Sequence, residues 1–294
     1  MEKRSLEELD IRSWDETFDA AVQNKMTEAL EGGKILYFPS LSFSLSPQEL
    51  LLLDPEKMSP KSKNISFDLR SNGLQGMQCT QEEEEVMRAM IKRFAISSRK
   101  LLDALIPHYQ SSVIQAKTSF RPVEIFGRKS SYRKDDTRLH VDSFPSNPVK
   151  GQRIMRVFTN INPNGQPRVW RAGEPFKDVV EKIAPRVSNP IPGVNHLLKL
   201  LKITKSLRTP YDHYMLQIHD EMKRDMNYQQ TVPQEEIQFP PGSSWIVFTD
   251  LVSHAAMSGQ HVLEQTFYLP AKGQKHPEYS PLATLERYFN RQLI

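Results

Sequence analysis

Two blocks of strand-like sequence, parted by a long helical stretch, set the tightest limit on what this chain can fold into. The first begins at Lys117: TSFRPVEIFGR alternates and is rich in β-formers, LHVDSFP follows, and RIMRVFTNINP is a clear strand ending at Pro163. RVWRAGEPF adds a shorter strand leading into a turn. The second block is TVPQEEIQFPPGSSWIVFTDLVSHAAMSGQHVLEQTFYLP, punctuated by a PPG turn. Residues 174–230 between them carry helical spacing, with APRVSNPIPG as a loop. Such a layout implies an antiparallel β-sandwich or barrel dressed with helices. A parallel α/β sheet is disfavoured, because strands and helices do not alternate regularly. The 12 glycines form neither GxGxxG nor GxxxxGK[ST].

The first hundred residues read as mainly helical. Asp15–Leu30 has apolar residues at helical spacing and a Gly32-Gly33 stop; KILYFPSLSF is a short strand broken by Pro39. SPQELLLLDPEKMSP is a short helix opened by Ser46 and Pro47, and a long amphipathic helix starts at Gln81 with acids in its first turn. Residues 1–116 are therefore expected to form a helical supporting region on a core spanning 117–294. That core carries the 174–230 insertion and a C-terminal helix, PLATLERYFNRQLI, and the whole is expected to be one integrated domain.

Composition narrows the function classes. With 25% charged and 38% hydrophobic residues the chain reads as a soluble globular protein. Its net charge of +4 suits an anionic partner without naming one. Cys79 is the single cysteine, which excludes an intrachain disulfide and a cysteine-based zinc site and fits a reducing compartment. The N-terminus lacks the apolar run of a signal peptide, and no stretch reaches the roughly 20 apolar residues of a membrane span. A cytoplasmic location is expected. Interleaved aromatics are few in the basic stretches and no motif fits, so nucleic acid is not an expected partner.

The chemistry-bearing motif is TRLHVDSFPS. His140 and Asp142 are two apart in extended chain and share a face. A remote third ligand would complete a 2-His-1-carboxylate triad, which leaves open positions on Fe(II). His254 opens a segment after a strong strand, with strand interior still to follow; His261 lies within that segment. His254 is favoured as the ligand, and His261 as a surface or supporting histidine. His219 and Glu221 are also two apart, but on a helix they point about 200° from each other. They are expected on a solvated helix face. His108, His196, His213 and His276 sit in loop or helix contexts and are not expected to bind metal.

LHVDSFPSNPVKGQRIMRVFTNINP together with WIVFTDLVSHAAMSGQHVLEQTFYLP resembles the Fe(II)/2-oxoglutarate-dependent dioxygenases. It is more closely similar to the 3-deoxy-D-manno-oct-2-ulosonic acid (Kdo) 3-hydroxylases of Gram-negative bacteria, over roughly residues 117–270. The resemblance implies a double-stranded β-helix, a cupin-like jelly roll, with His140, Asp142 and His254 as iron ligands. It implies O2-dependent hydroxylation at C3 of Kdo in lipopolysaccharide inner core or Kdo–lipid A. The products would be D-glycero-D-talo-oct-2-ulosonic acid, succinate and CO2.

The far carboxylate of 2-oxoglutarate needs a buried cation. Many superfamily members supply an arginine about ten residues after the distal histidine, where this chain has Glu264-Gln265-Thr266. Arg153 and Arg156 on the strand after HxD are the alternatives. Arg156 is favoured because it lies deeper in the apolar strand, with Gln265 as helper; the competing role for these arginines is an ion pair to Glu264 or Asp250. For an anionic sugar or phosphate, the candidates are Arg128, Lys129, Tyr132, Arg133, Lys134 and Arg138 in the basic loop, and Arg168 and Arg171 flanking Trp170. An ordinary solvated loop is the competing reading. A glycolipid substrate also implies peripheral contact with the inner membrane, through the C-terminal helix or the basic loop. The same chemistry on another sugar or small molecule, or a noncatalytic jelly-roll module binding anionic glycolipid, are the rival functions. A binding module gives no reason to bring the three ligands together.

Overall fold

Where the sequence alternates, the chain forms strands. In the computed structural model, which describes residues 5–127 and 130–294, they are β1 (Leu6–Glu8), β2 (Ile35–Phe38), β3 (Ile65–Asp68), β4 (Gly73–Gln75), β5 (Ile114–Arg121), β6 (Gln152–Asn160), β7 (Arg168–Ala172), β8 (Glu235–Phe239), β9 (Ser244–Phe248), β10 (His254–Ser258) and β11 (Val262–Pro270). The helices are α1 (Ala20–Glu31), α2 (Pro47–Leu51), α3 (Gln81–Leu105), α4 (Phe176–Ile183), α5 (Val194–Leu200), α6 (Pro210–Arg224), α7 (Met226–Thr231) and α8 (Pro281–Phe289). Their starts follow the capping chemistry of the sequence. Capping boxes at Ser46/Glu49, Thr80/Glu83 and Thr209/Asp212 open α2, α3 and α6.

Eight strands form one sheet in the order β1-β2-β9-β6-β11-β5-β3-β4, and three form a smaller one, β10-β7-β8. All pairs are antiparallel except β1 with β2. The result is a mainly β jelly roll with helical additions. The expected helical supporting region does more than support: β1 and β2 extend one edge of the large sheet, and β3 and β4 the other. These strands are three or four residues long, too short for alternation to register.

Strand alternation sorts side chains between two cores. Arg156 pairs with Thr266 and Val247, and Phe158 with Glu264 and Trp245, so these residues share the inner face that looks at the small sheet. That space is filled by Phe158, Trp170, Phe239, Trp245 and Val247. Trp245 stacks on Phe239 with centroids 4.0 Å apart. Met155, Val157, Leu263, Phe267 and Phe248 occupy the outer face, under Leu30, Phe94, Leu101, Tyr211 and Tyr214 of the helical layer. The C-terminal helix belongs to this layer: Leu282 and Leu285 are buried, Phe289 stacks on Tyr214 and Leu293 is buried beyond it. Its apolar face is spent on the core and is not free for a membrane.

Candidate metal centre

His140 and His254 are brought together by a single antiparallel bridge. The backbone N–H of each donates to the carbonyl of the other at 2.9 Å, which sets the rings side by side with centroids 4.6 Å apart. Asp142 continues the extended chain, its backbone N–H donating to Thr249 O at 2.7 Å, while Val141 between them is fully buried in the core. One donor atom from each of His140, Asp142 and His254 lies within 4.8 Å of the others.

The environment fixes which atoms are available. Nδ1 of His140 sits 2.8 Å from Arg138 O, and Nδ1 of His254 2.8 Å from Val252 O. A carbonyl only accepts, so each Nδ1 carries the proton and each Nε2 presents a lone pair, as a metal requires. Burial, helped by Lys223 and His254, holds the His140 pKa well below its ordinary value, and burial lowers that of His254 too. Burial, the largest single influence, would raise Asp142, but the Arg156 guanidinium 2.8 Å from Oδ2, together with His254, a hydrogen bond from Thr249 and His219, outweighs it and keeps the carboxyl below the usual range. Two neutral imidazoles and one carboxylate therefore converge, the donor set that suits non-heme Fe(II).

Two walls enclose this cluster. Trp170 stacks on His254 with centroids 5.0 Å apart, and His219 meets His140 edge-on at 5.4 Å. The expectation of a solvated face around His219 is thus overturned. His219 and Lys223 are buried where α6 covers the centre, and Asp220 holds His219 Nδ1 at 3.0 Å. Spacing excluded chelation by His219 and Glu221 but did not say which side of the helix would be covered. His261 lies outside the cluster, in the β10–β11 turn at φ +57°, with its ring over Phe120.

The candidate cosubstrate residues separate by face. Arg156 points inward and bridges Asp142 and Glu264, with Nη1 2.9 Å from Glu264 Oε1. Glu264 also takes Arg121, at 2.8 Å. Arg153 points to the opposite, helix-facing side, fully buried against Asp250 at 2.8 Å and over the Phe248 ring at 3.8 Å. Gln265 is on that side too, accepting from Thr118 Oγ1 at 2.6 Å. An odd-numbered position on β6 or β11 cannot reach the inner face, so Arg153 and Gln265 are corrected to structural residues. Both ion pairs weighed as alternatives from the sequence, to Glu264 and to Asp250, are present.

Arg168 is the inner cation that lacks a counterion. Its Nη1 donates to Gly259 O at 2.7 Å, its Nε is buried without a partner, and no carboxylate among the described residues lies within ion-pair distance. Burial and neighbouring Arg121 push its pKa down to about 10. Arg171, on the other face of β7, packs Nε against Met257 Sδ and donates to Thr137 O. In the basic loop, Arg138 is tied to Asp135 and to Lys223 O. Arg133 is exposed, pairs with Asp220 at 2.8 Å and lies against the Tyr132 ring. Lys134 is exposed. Arg128 and Lys129 lie outside the described residues. Arg121 was not singled out by sequence reasoning; Glu264 was weighed only as an ion-pair partner, His219 only as half of a rejected chelating pair, and Trp170 only as the neighbour of Arg168 and Arg171.

Comparisons with known proteins agree with this geometry. A sequence model of the family described as 3-deoxy-D-manno-oct-2-ulosonic acid (Kdo) hydroxylase matches residues 13–292. The crystal structure of the Kdo hydroxylase KdoO, a non-heme Fe(II) α-ketoglutarate-dependent dioxygenase, in complex with α-ketoglutarate and Fe(III), is similar at TM-score 0.96 and 49% identity, covering 99% of this chain and 98% of that one. The apo form and the cobalt(II) complex of KdoO give TM-score 0.97 at the same identity and coverage. A sequence search of curated proteins finds no match.

Proposed function

The chain belongs to the Kdo hydroxylase family, and from that premise we propose that it hydroxylates C3 of Kdo in lipopolysaccharide inner core or Kdo–lipid A, as an Fe(II)- and 2-oxoglutarate-dependent dioxygenase (2-oxoglutarate being α-ketoglutarate). The products on this reading are D-glycero-D-talo-oct-2-ulosonic acid, succinate and CO2. The observation that carries it is the convergence of His140 Nε2, His254 Nε2 and the Asp142 carboxylate at one buried point.

These three groups would hold Fe(II). When bound, the ion with 2-oxoglutarate and O2 supplies the oxidising power that couples decarboxylation to C–H hydroxylation. The chain's own part is orientation, charge and exclusion of water. Arg138 O and Val252 O fix the two imidazoles, and Arg156 keeps Asp142 ionised. Trp170 and His219 shield the rings. Arg168, with an unpaired buried Nε on the inner face, and Arg156 are the cations suited to the far carboxylate of 2-oxoglutarate. Arg133 and Tyr132 stand on the α6 side of the centre, where a sugar acid or phosphate would approach.

No described helix is long and apolar enough to cross a membrane. The glycolipid substrate supports a cytoplasmic location with peripheral contact at the inner membrane. The reading is tested by 2-oxoglutarate-to-succinate turnover with Fe(II), with and without Kdo-containing lipid A. If the lipid neither stimulates turnover nor gains oxygen mass, the substrate assignment fails; if His140→Ala keeps full activity, the metal assignment fails.

A further inference from the structure

The insertion between α4 and α6 carries an apolar surface that the fold does not use. None of the residues of α5 is buried. Leu200 is 77%, Ile191 68% and Leu201 59% exposed, and Val194, Leu197 and Ile203 are exposed beside them. Soluble chains rarely gather so many large apolar side chains on one protruding segment unless it meets a partner. The charges within the segment are of one sign, although Lys182 and Arg186 at its start are paired with Glu174 and Asp225. Between Glu181 and Asp212 the sequence has no acidic residue, but it has Lys182, Arg186, Lys199, Lys202, Lys205 and Arg208. Lys199, Lys202 and Lys205 are exposed and interleave with the leucines.

The segment is fixed at its base to the metal-ligand loop. The backbone N–H of Lys205 donates to Ser146 O at 2.9 Å, and Arg208 Nη2 donates to Pro145 O. Asn195 Nδ2 closes the segment on Arg208 O at 3.2 Å. Ser146 is four residues past Asp142, so the apolar tip is coupled by short, bonded chain to the centre that acts on the substrate.

We propose that residues 191–205 form the surface by which this protein docks on an anionic phospholipid bilayer. Ile191, Val194, Leu197, Leu200, Leu201 and Ile203 enter the acyl boundary, and the three lysines meet the headgroups. An apolar segment whose own charges are all cations is the chemistry of an interfacial element, and its lack of acids complements a negative leaflet. The proposal rests on the membrane-linked substrate reading and moves the contact away from α8, whose apolar face is buried.

The test is flotation of the full chain with phosphatidylethanolamine vesicles, with and without phosphatidylglycerol, in the absence of substrate. The wild type is expected to float with the anionic vesicles. Leu197→Ser/Leu200→Ser/Leu201→Ser is expected to lose about a hundredfold or more of that binding. Lys199→Glu and Lys202→Glu should each lose about fivefold or more. Because these positions are exposed, all variants should keep wild-type circular dichroism and turnover on detergent-dispersed substrate. Unchanged flotation of the triple-serine variant, or a wild type that ignores both vesicle types, overturns the docking surface. So does loss of self-association on light scattering with vesicle binding intact, which would make the patch a face for a second copy. Turnover separates the two claims. Wild-type turnover without vesicle binding refutes the docking surface alone, and vesicle binding without turnover refutes the catalytic reading alone.

Discussion

Arg153 offers a sharp test of how strand parity assigns roles, because it stands three residues from Arg156 and faces the other way. Its guanidinium is fully buried with Asp250, Nε to Oδ2 at 2.8 Å and Nη2 to Oδ1 at 3.3 Å, over the Phe248 ring. Breaking a buried pair from one side costs about 3–5 kcal/mol, since the remaining charge is left uncompensated. At roughly 2–4 °C per kcal/mol for chains of this order of size, Arg153→Met should lower Tm by about 6–20 °C. Burial already pushes the Asp250 carboxyl above its ordinary pKa, and losing the arginine pushes it further. A carboxyl with a raised folded pKa takes up a proton on folding, so the defect should be greatest at high pH and shrink as pH falls through that pKa. Arg153→Met/Asp250→Leu removes both charges and should recover to within about 2 kcal/mol of wild type, the remainder being the lost contact with Phe248. Urea denaturation across pH measures the stabilities, and calorimetric titration measures 2-oxoglutarate affinity on the Fe(II)-loaded protein, which should stay within about threefold of wild type. A stable Arg153→Met with 2-oxoglutarate binding weakened tenfold would refute the parity argument.

Three further outcomes are expected. Arg168→Met should leave apo stability unchanged or higher, because an uncompensated buried cation is removed, yet weaken 2-oxoglutarate by about 10–150-fold, the value of a charged hydrogen bond; titration and ligand-induced Tm shifts read both. Glu264 is held below the usual carboxylate pKa because Arg121 and Arg156 outweigh its burial. Its stabilisation is complete above about pH 4.3 and lost as pH falls through the depressed folded pKa, so Glu264→Gln should be less stable at neutral pH and show a shallower acid limb in denaturation curves. Gly259 has φ +102°, and an added Cβ would lie 2.8 Å from Pro167 O and 2.9 Å from Arg168 Cα. Gly259→Ala should therefore cost about 1–3 kcal/mol by urea denaturation and weaken 2-oxoglutarate through the displaced Arg168.

The sequence carried the ligand cluster because its spacing is local. Two positions apart in extended chain is one face, and the family-like strings around His140 and His254 supplied the remote partner. The helix starts at Ser46 and Gln81 were legible for the same reason, since cap and first-turn chemistry is local, whereas the cap at Thr209 went unread within a stretch seen only as helical spacing. What could not be read is which of two faces turns inward. Alternation places Arg153 opposite Arg156, and Gln265 opposite Glu264, but only the packing of α1, α3 and α6 on the large sheet says which is inside. His219 shows the same limit on a helix, where spacing shows that it cannot chelate with Glu221 but is silent on α6 covering His140. Of the outer strands only β2 was read, in KILYFPSLSF; β1, β3 and β4 were missed because their length leaves no period to detect, and the place of these strands in the sheet is fixed by the distant pairings of β2 with β9 and of β3 with β5.

The central claim is that His140, Asp142 and His254 hold the iron that directs oxygen into Kdo. It is tested most directly by incubating Kdo–lipid A with the protein, Fe(II), 2-oxoglutarate and 18O2, then following the sugar by mass spectrometry and succinate in parallel. The account predicts one 18O atom in the Kdo unit per succinate formed by the wild type, and neither from folded His140→Ala or Asp142→Ala. An unlabelled sugar from the wild type, or undiminished labelling in those variants, would contradict it.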